Sequence, residues 1–123
     1  MATIAEASLT PSERQVLERL VERLRDEFGS DLRSVWLYGS RARGETPGVD
    51  SDVDLIVVST RDRPEDHLSA LRLVAQAADA EGANAARFSV KLYSPARVAE
   101  RRAINSFFFQ EIDRDKVVLF GDP

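Results

Sequence analysis

Two apolar runs, joined by a polar turn segment and separated at the second run by a pair of acids one residue apart, constrain this chain more than any other feature. Residues 35–58 read V-W-L-Y-G-S-R-A-R-G-E-T-P-G-V-D-S-D-V-D-L-I-V-V. Val35, Trp36, Leu37 and Tyr38 predict a strand that enters a Gly-Ser turn; Leu55, Ile56, Val57 and Val58 predict a second, β-branched strand. Residues two apart on an extended chain share a face, so Asp52 and Asp54 project together while Val53 points the other way. Two neighbouring carboxylates repel, which raises a pKa or demands a counter-charge. A hard divalent cation is the simplest remedy, and Mg²⁺ takes one or two carboxylates together with substrate phosphates. Gly39 lets the backbone approach a ligand closely, and the Ser40 hydroxyl suits a phosphate oxygen. A phosphate turn beside a metal pair points to nucleotide chemistry.

The order Gly39-Ser40, eleven intervening residues, then Asp52-x-Asp54 leading into an apolar strand resembles the signature of the nucleotidyltransferase superfamily that includes DNA polymerase beta. The short chain and its G-S-R-A-R-G-E…D-S-D-V-D-L-I-V-V look like the minimal branch of that superfamily. Either half of the motif is common by itself; the two together, with a strand on each side, are specific. The resemblance implies an α/β nucleotidyltransferase fold, a mixed sheet of about four strands with helices packed mainly on one side. It also implies transfer of a nucleoside monophosphate from ATP or another NTP to a hydroxyl, with Mg²⁺ on Asp52 and Asp54. Within the minimal branch it implies a HEPN-type partner in a toxin–antitoxin pair, whose tyrosine hydroxyl is a candidate acceptor. A free small-molecule acceptor fits less well, because the chain leaves no room for an acceptor domain.

At 123 residues the chain is expected to form one domain, residues 10–123, behind a flexible N-terminus of residues 1–9. A net charge of -4 argues against non-specific nucleic-acid binding, which needs a basic face. Cysteine is absent, so disulfides and thiolate metal sites are excluded. No apolar run approaches the roughly 18 residues of a membrane span, and the first residues lack the parts of a signal peptide. A cytoplasmic protein is the expectation.

In chain order, Thr10-Pro11-Ser12-Glu13 predicts a capped helix start, and Val16, Leu17, Leu20, Val21, Leu24 and Phe28 its buried stripe, with Gly29 as the stop. Strands follow at 32–38 and 53–58. Between them, Arg41 and Arg43 have two readings. They are surface charges balanced by Glu45 and Asp50, or one of them reaches a triphosphate, which a guanidinium suits. Asp50 itself reads as a turn cap or a residue behind the metal ligands. Pro64-Glu65-Asp66 opens a second helix whose buried face is predicted as Leu68, Leu71, Val74, Ala75 and Ala78. His67, the only histidine, reads as a surface residue. Residues 87–93 alternate as a half-buried strand with Phe88, Val90 and Leu92 inward. Ser94-Pro95 caps a third helix, residues 105–112 make a further short one, and 116–120 a last strand. Three successive residues on a helix fan over about 200°. Phe107, Phe108 and Phe109 therefore cannot share one stripe, and the segment either meets a partner protein or a second copy of the chain, or is wrapped on several sides.

Active members of the superfamily carry a third carboxylate on the strand after the central helix. Here no acid occurs between Glu81 and Glu100. Lys91 stands in the carboxylate's place, with Ser89 on the same face as the other occupant. A charged lysine does not ligate Mg²⁺; it can pair with Asp52 or Asp54 instead. Two functions therefore stand beside each other. One is an Mg²⁺-dependent nucleotidyltransferase; the other is a module of the same fold, catalytically weak or inactive, that neutralises a partner by contact.

Overall fold

The computed structural model describes residues 4–47 and 52–123. Helix α1, Pro11–Phe28, begins at the predicted capping box: Thr10 Oγ1 accepts from Glu13 N–H, and Glu13 Oε1 accepts from Thr10 N–H at 2.9 Å. Gly29, at φ 56°, closes it. Strand β1 spans Leu32–Tyr38, helix α2 is the single turn Gly39–Ala42, and strand β2 is Val53–Ser59. Helix α3, Pro64–Ala80, leads to strand β3, Phe88–Tyr93. Helices α4, Pro95–Ala103, and α5, Phe107–Asp115, precede the last strand β4, Val117–Gly121.

The strands form one mixed sheet in the order β3-β2-β1-β4. The β1–β2 and β1–β4 pairs are antiparallel, and α3 carries the chain across so that β3 lies parallel to β2. The two long helices cover one face, where Leu17, Leu20, Leu24, Leu37, Leu55, Val57, Leu73 and Val74 form the larger core. The two nine-residue helices cover part of the other face, over Trp36, Tyr38, Ile56 and Val58. They are fastened there by Asp113, which binds both Arg102 and the buried Lys116, whose ammonium sits 4.2 Å from the centre of the Trp36 ring.

The stripe of α3 differs from the one predicted. Ala70, Leu73, Val74, Ala77 and Ala78 are buried, whereas Leu68 is 66% and Leu71 43% exposed and Ala75 faces out. Asp66 decides the rotation. It turns inward, accepting from the Arg63 N–H and from both Nε and Nη2 of Arg61, and residues 70, 73, 74 and 77 follow it at helical spacing. Alanines on this face let α3 lie close against α1 and β3. His67 is exposed, as expected.

Ile4–Glu6 is a 3₁₀ turn, Ala7 is buried, and the Ser8 N–H and hydroxyl bond the carbonyls of Arg41 and Glu45. Residues 4–8 therefore strap the turn at the end of β1, because that turn offers carbonyls that need donors.

Helix α5 separates its three phenylalanines. Phe109 is buried at 1% exposure, Phe108 is half-buried, and Phe107 is 74% exposed. Phe109→Ala is expected to cost about 3–5 kcal/mol, the usual loss for a buried ring. Phe107→Ser should stay within about 0.5 kcal/mol of wild type. Urea denaturation of both variants checks this; a large loss for Phe107→Ser would put that ring in the core.

Candidate active site

At the β1–β2 mouth the sequence motif becomes one place. Tyr38, Asp54 and Ser89 lie level with one another on three adjacent strands, since Tyr38 pairs with Asp54 and Asp54 with Ser89. The alternation that buries Val53, Leu55 and Val57 under the long helices puts Asp54 on the opposite face. Lys91 follows one pleat further along the same face of β3, opposite Ile56. Ser89, not Lys91, is therefore the residue level with Asp54.

Gly39 touches this site through what it lacks. It has φ +79°, and a Cβ there would lie 2.6 Å from Asp54 Oδ2. The turn and the carboxylate are thus packed against each other, and only glycine permits it. Ser40 follows within the α2 turn, half-buried, and the Tyr38 side chain does not cap the helix start.

The electrostatics are those of a site with too much negative charge. Burial raises the Asp54 pKa first, and the Asp52 carboxylate raises it further; Lys91 and Arg41 pull the other way without cancelling them. Asp52 itself is exposed. Burial, then Asp54 and Tyr93, push the Tyr38 hydroxyl up to about 12, so it stays a neutral donor. Among the described residues no three acids or histidines converge on a metal position. Asp52 and Asp54 are hard oxygen donors whose mutual repulsion a divalent cation would relieve. The residues present fit such an ion.

The two arginines sit differently, Arg41 inward and Arg43 at the surface. Arg41 is buried under the turn, where its Nη1 donates to Glu13 Oε1 at 2.7 Å and to the Ser8 carbonyl at 3.0 Å. Burial would raise the Glu13 pKa, but bonds from Arg41 and Thr10 outweigh it and hold the carboxyl below its ordinary value. Glu13 thus caps α1 and anchors Arg41 at once. Arg43 is partly exposed and pairs with Glu45, as the surface-charge reading had it, and also lies 3.8 Å from Asp115. Asp50 falls outside the described residues.

Tyr38 and Phe108 were not singled out for the site. The Phe108 ring stands edge-on to Tyr38 with centroids 5.7 Å apart, and the Lys91 Nζ lies 4.6 Å from its centre. Tyr38 immediately precedes Gly39 on the Asp54 face, which was the available signal; the position of Phe108 depends on α5 folding back. A separate groove of about 430 Å³, bordered by Trp36, Val58, Pro95 and Arg102, lies at the far end of the strands and contains none of these residues.

A mixed sheet with a glycine turn and an acid pair at one mouth defines the nucleotidyltransferase class. The chain belongs to the nucleotidyltransferase domain family, whose sequence model matches residues 17–117. Its fold is similar to that of a mutant of the toxin–antitoxin MntA–HpeT, with 19% identity, 86% of this chain and 73% of that one covered, and a TM-score of 0.54. A toxin–antitoxin crystallised with AMP-PNP gives 22% identity, the same coverages of 86% and 73%, and a TM-score of 0.54. A protein of Sulfolobus solfataricus assigned as a nucleotidyltransferase gives 20% identity, coverages of 89% and 83%, and a TM-score of 0.51. At these identities the likeness is one of fold. No curated protein matches the chain by sequence. No helix among the described residues is long and apolar enough to cross a membrane.

Proposed function

We propose that this protein transfers a nucleoside monophosphate from ATP or another NTP to a hydroxyl of a protein partner, with Mg²⁺ held by Asp52 and Asp54. The observation that carries the proposal is the contact between Gly39 and Asp54: a phosphate turn is packed so tightly onto an acid that no other residue fits. When bound, the cation would offset charge on the phosphates and polarise the phosphoryl group under attack. Gly39 and Ser40 would hold phosphate oxygens against the turn. Arg41 supports that turn from beneath through Glu13 and Ser8, so its contribution is to positioning. Arg43, at the rim, is placed to lend positive charge to the triphosphate once released from Glu45. Positioning and charge neutralisation supply most of the rate in such transfers.

For the partner, a HEPN-type toxin whose tyrosine is the acceptor is the reading that the family resemblance favours, and toxin–antitoxin neighbours in fold agree with it. The 74% exposed Phe107 offers that partner an apolar contact on the helix that also carries Phe108 to the site.

Calorimetry of ATP binding with Mg²⁺ and with chelator, followed by transfer of label from ATP to the co-purified partner, tests the proposal. Metal-dependent binding and labelled partner are expected. Equal affinity with and without metal removes Asp52 and Asp54 from a metal site.

A second function is favoured by one observation: β3 brings Ser89, not an acid, level with Asp54. On that view the domain neutralises its partner by contact alone. Ser89→Asp separates the two. It adds a carboxylate beside Asp54, so Mn²⁺ binding should tighten while the metal-free protein melts at a lower temperature from like-charge repulsion. Lys91→Asp, two residues along the same face, is the companion variant. If neither binds Mn²⁺ more tightly than wild type, β3 does not border a metal site.

A further inference from the structure

The chain has seventeen basic residues, and only Lys91 and Lys116 among them are lysines. Their surroundings are opposite. Lys116 is buried and bonded to Asp113 at 2.7 Å. Lys91 is exposed, and among the described residues its ammonium makes no hydrogen bond or close ion pair; its charge acts on Asp54 from a distance while it rests over the Phe108 ring at 4.6 Å. A ring holds an exposed ammonium only weakly, and the four-carbon stem is free to swing with three rotatable donors.

Geometry puts that donor at the site. Lys91 shares the sheet face of Asp54, on the neighbouring strand and one pleat along. Phe108, on which it rests, abuts Tyr38, the residue level with Asp54 on β1. A nucleoside triphosphate bridged to one divalent ion keeps net negative charge, and Asp52 and Asp54 add more. Of the nearby arginines, Arg41 is buried beneath the turn with Glu13 and Ser8, and Arg43 has to leave Glu45 before it reaches a phosphate. We propose that Lys91 is a triphosphate-binding residue, whose ammonium leaves the Phe108 ring to bond a phosphate oxygen of the nucleotide held at Asp52 and Asp54. This rests on the function proposed above and names a residue of β3 that stands one pleat beyond the level of Asp54.

The test compares ATP with adenosine, both with Mg²⁺, by calorimetry on wild type, Lys91→Met and Lys91→Arg. Lys91→Met should weaken ATP binding about tenfold or more, the worth of one charge-assisted hydrogen bond. Adenosine affinity should not change, and Lys91→Arg should restore most of the loss for ATP. A residue that merely balances Asp54 would lower the melting temperature without separating ATP from adenosine, and that pattern overturns the proposal. So does wild-type ATP affinity in Lys91→Met. If wild type itself binds no ATP with Mg²⁺, the proposed function fails and this inference falls with it; if wild type binds and Lys91→Met binds equally, only the inference fails.

Discussion

Asp52→Asn combined with Asp54→Asn is expected to lower nucleotidyl transfer by a hundredfold or more and to abolish metal-dependent ATP binding, while the melting temperature rises. The catalytic loss follows from removing both oxygen ligands of the proposed cation, which is worth several kcal/mol to phosphoryl chemistry at about 1.4 kcal/mol per tenfold. The gain in stability follows from linkage. Burial, with Asp52 beside it, raises the folded-state pKa of Asp54 above its unfolded value. A carboxyl so shifted holds its proton more tightly in the folded protein, so stability falls as pH rises from the unfolded pKa through the folded one. Asparagine carries no charge to desolvate, so the variant should gain stability at pH 7 and lose that advantage as pH falls below the unfolded value. Melting curves at pH 7 and pH 3, with label transfer on the same samples, check both halves. Retained transfer in a folded double variant would place the chemistry elsewhere.

Gly39→Ala should be nearly as damaging to nucleotide binding and, unlike the acid variants, destabilising. A non-glycine residue at φ +79° costs about 1–3 kcal/mol. Its Cβ would also meet Asp54 Oδ2 at 2.6 Å, so the carboxylate or the turn has to move. Either movement separates the acid from the phosphate turn, and a misplacement of about 1 Å is worth about a hundredfold in such sites. Circular dichroism and ATP calorimetry report the two effects independently. A Gly39→Ala protein that binds ATP as wild type does would mean that the close packing of turn and acid has no role in binding.

Much of the fold could be read from local pattern. The capping box at Thr10 and Glu13, the stop at Gly29 and the span of β1 at Leu32–Tyr38 are short-range features, and each sits where the sequence places it. Period-two alternation likewise gave the inward Phe88, Val90 and Leu92. The face of α3 was less legible. Its apolar residues are compatible with more than one stripe, and a charged residue, Asp66, selects between them by turning inward to Arg61. Residues 4–8 look patternless because their partners, the carbonyls of Arg41 and Glu45, are more than thirty positions away.

The same division runs through the candidate site. A spacing of two on an extended chain is enough to put Asp52 and Asp54 together, and a glycine before a serine is enough to suggest a phosphate turn, because both are properties of the backbone nearby. Sequence by itself therefore determined the family, the acid pair and the turn. Tertiary structure decided what surrounds them. Parallel pairing of β2 with β3 set Ser89 level with Asp54 and Lys91 one pleat beyond, a register between distant segments that the alternation within β3 alone does not give. The return of α5 buried Phe109, exposed Phe107 and laid Phe108 between Tyr38 and Lys91. Arg41, a surface charge by its neighbours in sequence, went inward because Glu13, twenty-eight residues away, gives it a partner there. Charges follow their counter-ions, and counter-ions are brought by the fold.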